Sequence, residues 1–571
     1  MTRIRIKGAA LTLAAAFAAF ACTSSPTTGT GTETLAADQI LRIPMTDDVT
    51  SLDPAHVDAA VDIAFLQEVF TGLYKFDKTL KIVPDGTTAL PDISSDGKTY
   101  TFHLRKDMKF SNGDKITSKD WIYSWTRTAS INDAYASNLE PISGDLDVES
   151  GKAKTISGLS APDDYTLVAK LTDPAGYWMT QLAMPTATQV LSQKAIEAGG
   201  ADTWWQKPES YVGSGPFKMT SRVAKSVMEF DPVASWWGGS TGALKKVHID
   251  IGVDQASQVK KFESGGYENV GFANQAPTPD DILRYKNDPT KSKMLHLYPG
   301  ARTTAVGFNF VKGPFAPKQG VTPGQQTAGT GITDPNKAGR LAFAQAVDRA
   351  QLVDVACAKG ATCAVADVGW ISKGLKGTLK PGEDMSAKFD SAAAKAAYTK
   401  WDPDGSKVKG LQYRFNSTGS NTARAGNLQS QWKANLGINV DLAPSDFPTL
   451  QKDRKAKLPV IGRESWSADY DHPQDWYDNL ATCAQAKVGR GNDEAYCNPD
   501  MDKLVAQADA EPSLDKAVAT YVQANKLFQN DIAWMNLDYG TQTYLTQTYV
   551  SGMGFNSLYD YNWEGTKILK H

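Results

Sequence analysis

Histidine and cysteine are the scarce residues of this chain, six and five in 571 positions. The histidines are scattered and none falls in a His-Glu-x-x-His arrangement, which argues against a metalloprotease. No cysteine pair has the tight spacing of a zinc knuckle with a histidine beside it. Net charge is nearly absent, −3 from 60 basic and 63 acidic residues, so nothing favours nucleic acid. Long apolar runs are missing too: the stretch from Ala9 to Phe20 is too short to be a good membrane span. What the chain does have is length, enough for two or three domains around a large core. It is also well supplied with Trp, Tyr and Phe, which fill cores and line clefts that close on a ligand.

Arg3, Arg5 and Lys7 ahead of that apolar stretch read as a signal segment over 1–21. Ala19-Phe20-Ala21-Cys22 resembles a lipoprotein signal, in which Cys22 becomes the lipidated N-terminus; Phe20 departs from the small residue usual there. An ordinary cleaved signal with a chance Cys22 is the alternative. Thr, Ser and Gly dominate the following residues, so 22–38 is expected to be a lipidated cysteine and a flexible linker. The expected location is the outer face of the cytoplasmic membrane, at the cell surface or in a periplasm. Four cysteines then remain. Cys357 and Cys363 are close in sequence, Cys483 and Cys497 flank a polar loop, and export permits disulfides. Cys357–Cys363 and Cys483–Cys497 are the expected bonds.

The stretch Arg463-Glu464-Ser465-Trp466-Ser467-Ala468-Asp469-Tyr470 sets an arginine and an aspartate six residues apart around a tryptophan. It follows Leu458-Pro459-Val460-Ile461, which reads as a short buried strand, and leads into a loop with Pro473. Charges at the end of a buried strand are costly unless paired or met by a charged ligand. Asp469 suits an ammonium and Arg463 a carboxylate held through two prongs, together a zwitterion site. The bland alternative is an internal Arg463–Asp469 ion pair. Elsewhere, Ile40 to Pro44 reads as a strand, and Asp58 precedes a helical pattern that it would cap in the bland reading. Asp96-Gly97 signals a hairpin and Thr117-Ser118 a helix start. Residues 316–336 read as a surface insertion, and 340–353 as one amphipathic helix. A strand at 409–414, a helix at 425–436 and a strand at 438–442 indicate an α/β lobe. Gly238-Gly239-Ser240-Thr241-Gly242 fits a hydrolase elbow, but that elbow needs a helix after it, and Leu244 to Ile251 reads as a strand.

Ser51-Leu52-Asp53-Pro54, Glu68-Val69-Phe70-Thr71-Gly72-Leu73-Tyr74, the run from Asp96 to Lys106, Phe110-Ser111-Asn112-Gly113 and Asp120-Trp121-Ile122-Tyr123-Ser124-Trp125 occur in that order. Gly213-Ser214-Gly215-Pro216-Phe217, Trp236-Trp237-Gly238-Gly239 and Ala346-Val347-Asp348-Arg349 follow. The series resembles the family 5 extracellular solute-binding proteins, the peptide- and nickel-binding receptors of ABC importers, over nearly the whole mature chain. Each motif alone is weak; their order is specific. The resemblance implies an α/β, two-lobed periplasmic-binding-protein-like fold of type II. Lobe I would comprise 39–70, 184–300 and 536–571, an extra subdomain 71–183, and lobe II 301–535, with the ligand cleft between lobes. It implies a monomer with no enzyme activity, cofactor or metal, which binds a short peptide and passes it to an ABC permease and its ATPases.

Within that family the octapeptide resembles the oligopeptide-binding branch, Arg-x-x-Trp-x-Ala-Asp-Tyr, with Arg454 nine residues before Arg463. The likeness gives Asp469 the peptide's α-ammonium and places Arg463 and Arg454 around the site, where Asp58 can pair with them. It gives the backbone of Ser465, Trp466 and Ser467 the role of holding the peptide as an added strand. Relatives that take longer peptides carry a lysine and a histidine that reach the peptide carboxylate; here those positions are Cys357 and Asn421. Ligand length is thereby open, and so is ligand class. The alternatives are the same scaffold holding a sugar, metal chelate or signalling molecule, a secreted hydrolase using Ser240, or an adhesin or signalling lipoprotein with a vestigial cleft.

Overall fold

The computed structural model describes residues 34–57, 59–133, 135–317, 334–417, 420–554, 558 and 562–571. The signal segment, Cys22, Asp58 and nearly all of the 316–336 insertion lie outside them.

Alternating apolar residues build a first, four-stranded sheet. Ile40–Met45 runs parallel to Lys246–Ile251, followed by Val227–Pro232 and Phe217–Val223 in antiparallel order. Leu41, Ile43 and Met45 stand opposite Val247, Ile249 and Ile251, and all six are buried on one face. A second sheet of four antiparallel strands grows from the Asp96-Gly97 turn, with Tyr100 and Phe102 packed on Trp178. The helix Ser118–Ile131 starts where the sequence signals it: Thr117 N donates to the Asp120 carboxylate at 2.7 Å, half of a capping box.

The third sheet has seven strands and carries the site. Its order is Asn269–Val270, Trp534–Thr546, Leu295–Phe308, Ile461–Ser467, Gln412–Asn416 and Asp441–Ser445, with Cys363–Val365 also paired to Trp534–Thr546. The two long strands, of 14 and 13 residues, pair with each other and cross a break in register. Leu295–Pro299 pairs with Thr541–Leu545 on one side of the crossing, and Thr303–Gly307 with Trp534–Tyr539 on the other. Between these ladders the register breaks, and Gly300 lies against Gly540: a Cβ on Gly300 would stand 2.7 Å from the Gly540 carbonyl oxygen. A broken ladder of this kind bends a strand pair and concentrates motion there.

One hydrophobic core joins the first two sheets through Phe65, Phe102, Trp125, Phe230 and Trp563 and continues to Tyr470, Trp476 and Phe528. A separate core of Val306, Phe343, Tyr413, Leu428 and Trp432 lies in an α/β part of the chain. There Gln412–Asn416 and Asp441–Ser445 are parallel and joined by the helix Asn421–Leu436, a βαβ unit whose elements begin a few residues from where the sequence pattern sets them. Both expected disulfides are formed, with Cα separations of 5.4 Å for Cys357–Cys363 and 4.4 Å for Cys483–Cys497.

Two expectations are corrected. The amphipathic run 340–353 is two helices, Lys337–Gln345 and Arg349–Ala356. Asp348 accepts from Ala350 N at 2.9 Å and Gln351 N at 3.2 Å and so starts a new helix, while both helices still cover the same core. The buried strand is Ile461–Ser467 rather than 458–461. Pro459 has no N–H for a ladder, and the Asn309 side-chain amide bonds the carbonyls of Lys457 and Pro459, holding that segment as a turn.

Candidate functional site

Because the strand is Ile461–Ser467, alternation divides the octapeptide between two faces. Arg463, Ser465 and Ser467 share one face; Gly462, Glu464 and Trp466 share the other. The crossing strand pairs with it along its full length, from Arg302↔Ser467 to Phe308↔Ile461. On the opposite edge Gln412–Asn416 pairs only at Ile461 and Gly462. Among the described residues, nothing hydrogen-bonds the remaining backbone edge of 464–467 on that side.

The strand ends at the cleft. Ala468 N donates to Ala301 O at 2.9 Å, closing the ladder, and Asp469 follows. Asp475 anchors the turn: one of its carboxylate oxygens accepts from Trp466 Nε1 at 3.1 Å and from Asp469 N at 3.0 Å. Burial and the neighbouring Asp469 carboxylate push Asp475 well above the ordinary range. Asp469 is itself raised to about 6 by burial, opposed by a hydrogen bond from Tyr135 Oη at 3.0 Å. Tyr135 follows the helix Ser118–Ile131, so this bond ties that segment to the end of the strand Ile461–Ser467. Arg463 and Asp469 do not pair, so the internal ion pair drawn from their spacing is absent.

Arg463 instead lies deep on its face. Its guanidinium donates to Ser465 Oγ at 2.9 Å, its Nε has no partner, and burial, with Arg454 and Arg302 adding, lowers its pKa to about 10. Nearer the cleft, Arg424 holds Asp538 through two prongs of 2.7 and 2.8 Å. The two positions that depart from the branch both adjoin this pair: Cys357 Sγ is 3.4 Å from Arg424 Nη2, and Asn421 Oδ1 accepts from Nη1 at 3.3 Å. Cys357, Cys363 and Asp538 are also close enough to share a metal, but the sulfurs are bonded to each other and Arg424 occupies the carboxylate.

Arg454 is on the far side of the sheet. It bridges Glu464 and Asp493, with Asp493 at 2.8 Å, and Lys457 completes the group 3.7 Å from Asp493. This buried cluster ties the helix Phe447–Lys455 to the back of the strand and does not reach the cleft.

The cleft itself has a volume of about 530 Å³, within the usual range of small-molecule sites. Ser467, Ala468 and Asp469 form one wall, Ala60, Ile63 and Ala64 another, and Arg302 with residues 540–544 the floor at the crossing strands. Of the residues expected at the site, Ser467 and Asp469 line this cleft. Ser465, Trp466 and Arg463 stand behind it, and Asn421 sits beside the Arg424–Asp538 pair. Arg302, Tyr135 and the 540–544 segment were not anticipated. A charged residue in the otherwise apolar and hydroxylated run 301–306 was the available signal for Arg302.

The family model of the bacterial extracellular solute-binding proteins, family 5 middle, matches residues 81–487. The periplasmic murein peptide-binding protein MppA of Escherichia coli (strain K12) is 25% identical over 543 residues, covering 94% of each chain. The oligopeptide-binding protein OppA of Bacillus subtilis (strain 168) is 25% identical over 513 residues, covering 88% of each. Among solved structures, the unliganded open form of the murein tripeptide-binding protein MppA superposes with a TM-score of 0.77 at 23% identity, covering 94% of this chain and 99% of the other. Haemophilus influenzae OppA in complex with the peptide RPPGFSPFR gives 0.69 at 22%, covering 94% and 100%. The fold is therefore the two-lobed α/β fold of the periplasmic binding proteins, type II.

Proposed function

Because this chain belongs to the bacterial extracellular solute-binding proteins of family 5, and so is a binding protein rather than an enzyme, we propose that it captures short peptides in the cleft between its lobes. The observation that carries this reading is a buried acid, Asp469, at the end of a strand whose outer edge is unpaired over 464–467. A peptide suits both features, with an ammonium for the acid and an extended backbone for the edge. Four residues of open edge extend ~13 Å at ~3.3 Å per residue, room for a few residues of ligand. Backbone and ammonium are common to all peptides, so affinity need not depend on side-chain identity. Lobe closure about the broken ladder at 299–303 and 539–541 would bury the ligand, and the closed form would engage an ABC permease. Lipidation at Cys22 would hold the receptor at the outer face of the membrane; no helix among the described residues is long and apolar enough to cross it.

Unfolding the protein purified from its host and identifying what it releases tests this reading. Peptides of mixed sequence with free N-termini support it, and a single non-peptide compound replaces it with the rival ligand class. Calorimetry with Asp469→Ala tests the site: removing the partner of a buried ammonium is expected to weaken peptide binding by about a hundredfold or more. Unchanged affinity removes Asp469 from the site.

A further inference from the structure

We propose that Arg302 recognises a carboxylate carried close to the ligand's ammonium, so that the cleft favours ligands with an anion at that place over those without one. This rests on the peptide-capture reading. Arg302 is the cross-strand neighbour of Ser467, and Asp469 stands two residues beyond. At ~3.3 Å per residue and ~4.8 Å between strands, the two charges are separated by the reach of one or two ligand residues. The Arg302 side chain lies in van der Waals reach of Gly540, and Arg302 lines the floor of the cleft.

Among the described residues the Arg302 side chain makes no hydrogen bond or ion pair, while its backbone pairs with Ser467 in the sheet. The carboxylate on its face, Asp538, is taken by both prongs of Arg424. Arg463, on the same face, finds only a serine hydroxyl. Three guanidiniums therefore share one carboxylate, and the one left over is the one exposed to the cleft. An arginine fork is suited to a carboxylate in two-pronged contact.

The carboxylate has two sources, an acidic side chain at the first or second position or the C-terminus of a very short peptide. Calorimetry at pH 7.5 separates them, using Ala-Glu-Ala-Ala against Ala-Gln-Ala-Ala, and Ala-Ala against its C-terminal amide, with the wild-type protein and Arg302→Gln. The expected result is at least tenfold tighter binding of one carboxylate ligand over its amide, reduced to within about threefold in Arg302→Gln. The pair that shows the preference names the source. Equal affinity within both pairs for the wild type, with peptides bound, overturns the inference and leaves peptide capture standing. A preference that survives unchanged in Arg302→Gln moves it to another residue and overturns it as well. Failure of all four ligands to bind removes the peptide reading and this inference together.

Discussion

The two faces of the strand Ile461–Ser467 carry charges of similar number and opposite fate. Behind it, Glu464, Asp493 and Glu494 are met by Arg454 and Lys457, all from the protein and all buried but Asp493, which is part-exposed. In front, Arg463, Arg424 and Arg302 share the one Asp538 carboxylate, and Asp469 at the strand's end accepts a hydrogen bond from Tyr135. A charge matched by its own chain is architecture. A charge left unmatched at a cleft is a place for a ligand, and its burial is a cost to the empty protein that the ligand offsets. The comparison breaks most visibly at Arg454. Arg454→Ala leaves Glu464 and Asp493 with one cation between them, and is expected to cost about 3–5 kcal/mol of stability by denaturant unfolding. Peptide affinity of the folded protein should stay within about threefold. A loss of affinity matching that of Asp469→Ala would mean that the back face belongs to the site after all.

Asp469 should behave in the opposite sense. Its carboxyl titrates near 6 in the folded protein, above the ordinary value of about 3.9, so its favourable contribution to folding is complete below pH ~4 and gone above ~6. At pH 7.5 the ionised, partly buried group therefore opposes folding. Asp469→Asn is therefore expected to raise the melting temperature of the ligand-free protein while weakening peptide binding about a hundredfold. A lower melting temperature would assign Asp469 to the architecture instead.

A third effect is smaller per step and follows from the same acid. The ammonium needs the ionised carboxylate, so peptide affinity is expected to be flat above pH ~7 and to fall about tenfold per pH unit well below 6. Asp469→Asn should abolish that slope. A slope that persists in the variant would place the titrating group elsewhere.

These contrasts also mark how far the sequence could be read. The octapeptide is legible because its parts are adjacent, and the ordered motifs point to the two-lobed fold. Which face each residue takes was not legible: the spacing of Arg454 and Arg463 is the same whether they meet in one site or stand on opposite sides of a sheet. That outcome was decided by where the strand begins, and so by Pro459 and the Asn309 side chain that bonds its carbonyl. Arg302 was hidden for a related reason. It reaches the cleft only because the crossing strands lose register beside Gly300 and Gly540, a pairing made between segments far apart in the chain. Ala346-Val347-Asp348-Arg349, a motif of the resemblance, is a joint: Asp348 caps a helix and Arg349 bonds Asn536 O of a crossing strand at 2.5 Å.

Tyr135 offers the finest adjustment, because it is 334 residues from Asp469 in the chain and touches it through one hydroxyl. That bond favours the ionised carboxylate and so holds the Asp469 pKa below where burial alone would set it. Tyr135→Phe removes the hydroxyl and keeps the ring, so packing around the ring is little changed. The pH at which peptide affinity begins to fall is then expected to move upward from about 6, and affinity at pH 7 to drop severalfold, while affinity at pH 8.5 changes less. The contrast between the two pH values is what identifies the cause. A uniform loss at both would mean that Tyr135 contacts the peptide or holds the lobes closed. A profile identical to that of the wild type would mean that the ligand's ammonium, once bound, supplies everything the hydroxyl did.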